Sequence, residues 1–173
     1  MAWHVTIWRI AAVAGIVALV LGTHLPLWAQ DDQPQPAEAV VVRWREAFVT
    51  VERTIAPVAE LDGHAVGTSR QRGFAFFEDG HVARATASLA FQGGPDRLSY
   101  RGYAQYRFDD GSTKTAFFDG GGEPAGEQTG TFRYVEGTGR FQGIEGEGTF
   151  TGRAFGPEGD IYLDIVGEYR QSD

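Results

Sequence analysis

The segment from Gly130 to Gly152 constrains this chain more than any other. It places β-forming residues (Thr131, Phe132, Tyr134, Val135) before a glycine-rich turn, and further β-formers (Ile144, Thr149, Phe150) after it, with Gly146, Gly148 and Gly152 recurring in the second half. Glycine inside a strand costs backbone entropy and offers no side chain to pack. Its repetition marks bends, bulges or close backbone approaches, as at the corners of a small barrel.

Two hairpins stand out upstream. Phe77-Glu78-Asp79-Gly80-His81-Val82 and Phe108-Asp109-Asp110-Gly111-Ser112-Thr113 each carry Asp-Gly, the pair that suits a two-residue type I′ turn. That turn predicts a register in which Phe76 faces Ala83 and Phe74 faces Ala85. In the second hairpin it sets Phe108 against Thr113, Tyr106 against Thr115 and Ala104 against Phe117. The apolar face then runs Phe74, Phe76, Ala83, Ala85, Ala87, Leu89, Phe91, with Arg84, Thr86, Ser88 and Gln92 opposite. Leu98, Tyr100, Gly102, Ala104, Tyr106 and Phe108 form a second such face.

Further strands are predicted over 128–135, 140–154 and 160–170. The last alternates Ile161, Leu163, Ile165, Gly167 and Tyr169 against Tyr162, Asp164, Glu168 and Arg170. Residues 40–53 read as one long strand or a short helix entering one, and Ile55–Gly67 as a loop. Gly120-Gly121-Gly122 falls in a long loop. Nothing after residue 60 has helical periodicity. About eight strands with one apolar face describe an all-β chain, an eight-stranded antiparallel closed barrel or a sandwich. An outer-membrane barrel alternates likewise with its apolar face toward lipid. The small residues Ala83, Ala85, Ala87, Gly102 and Ala104 suit a crowded interior better.

Residues 1–29 read as a signal peptide or uncleaved anchor helix: Arg9, an apolar run from Ile10 to Leu21, then a break containing Pro26 and ending at Ala29. The run is short of the roughly 20 residues that a membrane span needs. Residues 30–39 are a polar, proline-bearing linker, and 40–173 the barrel. The expected location is secreted or periplasmic, or membrane-anchored through the N-terminal segment. The 173-residue chain has no cysteine, so packing alone must hold the domain. A net charge of −8 repels phosphate backbones, and no nucleic-acid partner is expected.

Chemistry-bearing residues are sparse. Glu145 and Glu147 share a face with Thr149, Thr151 and Arg153, opposite Ile144 and Phe150, which reads as the solvent side. His64 and His81 lack a second ligand at metal spacing, so no metal and no cofactor is expected. Asp109, Asp110 and Asp119 match no calcium-loop pattern. The aromatic set of the apolar face (Tyr100, Tyr106, Phe108, Phe132, Tyr134, Phe150 and Tyr169) supplies the candidate ligand-pocket residues, because tyrosine hydroxyls inside a barrel need partners. Eight strands enclose either a filled core or one small molecule.

The run Gly137-Thr138-Gly139-Arg140-Phe141-Gln142-Gly143-Ile144-Glu145-Gly146-Glu147-Gly148-Thr149-Phe150 resembles the GTG-x-F-x-G-x-x-G-x-G-x-F signature of the allene oxide cyclase-like barrel superfamily. That group includes plant allene oxide cyclases, dirigent proteins and bacterial relatives, and the likeness is to an exported bacterial-type member. Val51-Glu52-Arg53 and the loop to Gly67 are similar to the group's first strand and loop, so the resemblance spans roughly 48–170. It implies an eight-stranded barrel, often with an apolar central cavity and often a homo-oligomer. In the plant cyclases the first strand supplies a Glu and, two residues on, an Asn. The corresponding places here are Val49 and Val51, which can neither move a proton nor bind an oxyanion. The resemblance therefore implies the barrel without the cyclase residues, and no catalytic residue is assigned.

Three functional expectations follow: a barrel binding a small hydrophobic molecule, a cyclase- or dirigent-type enzyme shaping a reactive apolar substrate, or a structural or partner-binding barrel with a filled core. A buried, paired Glu or Asp facing a cavity would favour the second.

Overall fold

The computed structural model describes residues 38–155 and 158–171. The proposed signal segment and nearly all of the linker lie outside them. Eight strands follow in order: β1 Val40–Pro57, β2 Ala65–Phe77, β3 Val82–Gly93, β4 Leu98–Arg107, β5 Thr113–Gly122, β6 Glu127–Thr138, β7 Ile144–Phe155 and β8 Asp160–Gln171. Each pairs antiparallel with its chain neighbour, and β8 closes on β1, from Val40 opposite Tyr169 to Phe48 opposite Ile161. Among the described residues the barrel is closed over Val40–Phe48, and beyond Phe48 β1 pairs with β2 alone.

Several details differ from the sequence reading. β1 is strand throughout, β2 begins at Ala65, and Ile55–Pro57 still pairs with Ala65–Gly67, so the loop is shorter than Ile55–Gly67. Gly139–Phe141 forms a single 3-10 turn, and β7 starts only at Ile144. Gly120–Gly122 belongs to β5 rather than to a loop. Glycine is needed there for contact: a Cβ on Gly120 would sit 2.7 Å from the Phe150 ring and from the Thr129 carbonyl.

The largest correction is register. Each Asp-Gly hairpin closes a three-residue loop, not a two-residue one. Phe77 N–H donates to His81 O (2.9 Å) and Gly80 N–H to Phe77 O (3.0 Å), while Phe108 N–H donates to Ser112 O and Gly111 N–H to Phe108 O. Gly80 and Gly111 take the left-handed position, with φ +87° and +83°, which is the type I turn plus bulge. Ala75, not Phe76, faces Ala83, and Phe74 faces Arg84. Phe108 is outside the ladder; Tyr106 faces Lys114 and Ala104 faces Ala116. A one-residue slip exchanges the two faces of a strand. Phe74 and Phe76 are therefore half exposed on the outer surface, whereas Ala75 is wholly buried.

The interior holds Trp44, Phe48, Phe91, Tyr106, Phe132, Tyr134, Phe150 and Ile165, with alanines 75, 83, 85, 87, 104 and 116. The outer face carries Arg45, Arg70, Arg101 and Arg170, paired with Asp164, Glu52, Asp119 and Glu145. These charged pairs share the outer face with exposed apolar side chains such as Phe74, Phe76 and Tyr103.

Candidate functional site

Ala87, Ala104 and Ala116 lie directly opposite one another on β3, β4 and β5, and a methyl group at each place leaves the barrel axis unfilled. The result is a cavity of about 110 Å³, running from the end that carries Pro124 and Gly159 down to Glu46 and Tyr106. Its walls are mostly apolar: Phe48, Phe91, Leu98, Phe118, Phe132, Phe150, Ile161 and Leu163. Drug-sized ligands occupy roughly 300–1,000 Å³; this space is nearer the ~150 Å³ that holds a benzene ring.

The floor is polar in a way the sequence reading missed. Trp44, Glu46 and Phe48 are the inward side chains of β1, and Glu46 is 1% exposed. Trp44 Nε1–H donates to Glu46 Oε1 at 2.5 Å, and the Tyr106 hydroxyl neighbours the same carboxyl. Burial pushes this carboxyl up to about 7; the Tyr106 and Trp44 hydrogen bonds and the charge of Lys114 oppose that rise. Lys114, equally buried, enters from β5 because of the three-residue turn before it. Its Nζ donates to the Tyr134 hydroxyl at 3.1 Å. The ammonium lies 4.6 Å from the ring centres of Trp44 and Phe77 and 4.9–5.9 Å from those of Tyr134, Tyr106, Phe141 and Phe108. Such rings offset part of the lost hydration of a cation. Burial still brings the lysine down to about 7, against the attraction of Glu46.

The candidate ligand residues divide between two layers. Tyr100, Tyr106, Phe132 and Phe150 line the cavity. Phe108, Tyr134 and Tyr169 lie below it in an aromatic plug with Trp44, Phe77 and Phe141, where Phe108 meets Phe141 at 4.8 Å and Tyr134 meets Tyr169 at 6.3 Å. Burial raises the hydroxyls of Tyr100, Tyr106 and Tyr134 above the ordinary phenol range, so all three stay protonated donors. Val49 and Val51, the places matched to the cyclase residues, are on the outer face. The carboxylate of the first strand is instead Glu46.

Among the described residues, two buried polar atoms on the cavity wall have no partner: the Tyr100 hydroxyl and Gln128 Oε1. The Gln128 amide nitrogen is held by the carbonyls of Glu123 and Gly126, which leaves its oxygen able only to accept. Buried polar groups are normally satisfied, so this pair marks where a ligand or water would bond. Elsewhere, His81 pairs with Asp79 at 3.0 Å and His64 Nδ1 contacts the Asp62 carbonyl. Among the described residues no cluster of His, Asp and Glu is placed to hold a metal.

No family model and no curated protein matches the chain. Among solved structures, it is similar to the pterocarpan synthase dirigent protein GePTS1, with TM-score 0.50 and 13% identity, covering 80% of this chain and 93% of that one. A second similar structure is the pterocarpan synthase dirigent protein PsPTS1, with TM-score 0.49 and 16% identity, over 80% of this chain and 99% of that one. The fold is a dirigent-like barrel. At such identity the likeness carries architecture alone. What a dirigent-like barrel of this sequence does must come from its own interior.

Proposed function

We propose that this dirigent-like barrel binds one small apolar molecule bearing a hydroxyl or carbonyl group. The observation that carries this reading is the void beneath the paired alanines 87, 104 and 116, with partnerless Tyr100 and Gln128 atoms on its wall. The apolar walls supply the driving force, roughly 25 cal/mol per Å² of apolar surface removed from water. The hydroxyl of Tyr100 and the oxygen of Gln128 orient the guest. The apolar run of Ile10–Leu21 supports the further proposal that the barrel works outside the cytoplasm.

Titration of the ¹⁵N-labelled protein with cyclohexanol tests the binding. The amides of Ala87, Ala104 and Ala116 should shift in a saturable way. Shifts confined to outer residues such as Phe74 and Tyr103, or none, would refute it.

A second reading has its own observation. Glu46 is a buried carboxyl at the cavity floor with a pKa of about 7, in the range where a group both takes and returns a proton at neutral pH. On this reading the barrel is a cyclase- or dirigent-type enzyme, in which Glu46 exchanges a proton with a substrate held out of water. Deuterium exchange next to the carbonyl of cyclohexanone, in D₂O, should be accelerated by the wild type and fall about 100-fold in Glu46→Gln. Equal rates in both proteins would leave binding alone.

A further inference from the structure

We propose that Arg53 makes the cavity mouth a carboxylate receptor, so that the preferred guest is a small carboxylic acid whose apolar body enters the barrel while its charged head stays at the lip. The inference rests on the binding reading above and names the ligand class for that same cavity.

β1 is irregular beyond Thr50. Thr50 pairs with Gln71, but Glu52 pairs with Arg70, so Val51 is an extra residue. Before this bulge the even-numbered side chains point inward; the extra residue shifts the alternation by one in a stretch whose side chains are all exposed. Bulges re-aim side chains in this way next to functional sites. Arg53 is therefore opposite Ser69, which faces the interior, and its guanidinium lies over the buried Phe91 ring, 5.0 Å from the ring centre. Without the bulge the outer face would receive it.

Among the described residues, Arg53 is the single Lys or Arg that lines the cavity. Arg45, Arg70, Arg101, Arg140 and Arg170 each meet a carboxylate within 4 Å. Arg53 meets none among the described residues; its one hydrogen bond runs from Nη1 to the Glu158 carbonyl at 3.4 Å. The contact with Phe91 and the single hydrogen bond leave further guanidinium N–H donors free among the described residues. Free donors on an arginine fork can take a carboxylate bidentately. Glu158 also lines this mouth, and the whole chain carries −8. Both disfavour an anion, so a carboxylate preference here needs Arg53. A cavity of about 110 Å³ limits the body to the size of one six-membered ring.

Calorimetric titration with cyclohexylacetate and with its neutral amide, cyclohexylacetamide, separates the outcomes. The wild type should bind the carboxylate about tenfold or more tightly than the amide, as charge-assisted hydrogen bonds imply. Arg53→Met should bring carboxylate affinity down to the amide level, and Arg53→Lys should retain part of the preference. If Arg53→Met does not fold, Arg53→Gln is read in its place. Equal wild-type affinities, or a preference that survives in Arg53→Met, overturn the assignment while leaving the cavity reading intact. Failure of both compounds to bind the wild type overturns both.

Discussion

At the scale of single residues, the unusual feature is an acid and an amine sealed in one aromatic floor. Burial pushes Glu46 up and Lys114 down, both to about 7. Glu46, raised in the fold, contributes stability that is fully present below its unfolded value of 4.5 and is lost as pH rises through 7. Lys114, depressed in the fold, contributes stability present above its unfolded value of 10.5 and lost as pH falls through 7. Unfolding free energy relative to Glu46→Gln should therefore fall between pH 4.5 and 7, and relative to Lys114→Met should rise between pH 7 and 10.5. Each slope approaches about 1.4 kcal/mol per pH unit. Urea unfolding across that range would show a minimum near neutrality for the pair. A maximum there would instead mean that the two groups ionise together as a stabilising ion pair. Glu46 was legible in principle: Trp44 and Phe48 flank it at two-residue spacing, with Arg43 and Arg45 on the opposite face. Lys114 was not, because a lone lysine in a strand ordinarily points to water.

At the scale of elements, the two tight turns decide which side chains meet. Alternation located β3, β4 and β8 correctly because their two faces differ sharply in polarity. It could not arbitrate β5, whose faces read Thr113, Thr115, Phe117 and Lys114, Ala116, Phe118. It misplaced Phe74 and Phe76 because two phenylalanines look more like core than Ala75 and Gly73 do. Asp-Gly serves both hairpin geometries, and the three-residue one fits here: the Asp110 carboxylate accepts from Ser112 N–H at 2.9 Å, and Asp79 accepts from His81 N–H. Gly111→Ala isolates the conformational cost, since an added Cβ would have nothing within 4 Å. It should cost about 1–2 kcal/mol, measured by chemical denaturation. An unchanged stability would show that the position is not held left-handed in solution.

At the scale of the whole molecule, closure of eight strands allowed either a filled core or a small chamber, and composition alone could not choose. The choice falls to register: it brings Ala87, Ala104 and Ala116 together as opposed pairs, with bulky Phe48, Phe132 and Phe150 elsewhere on the wall. Ala104→Leu should occupy that space with little or no loss of thermal stability, whereas the same change in a filled core would cost about 1–3 kcal/mol through overpacking. Calorimetric titration of cyclohexanol into the wild type and into Ala104→Leu, with a melting curve for each, therefore bears most directly on the central claim. Saturable binding by the wild type, lost in a variant that melts no lower, is the predicted result. Binding that persists undiminished in Ala104→Leu, or a wild type that takes up no cyclohexanol, would contradict it.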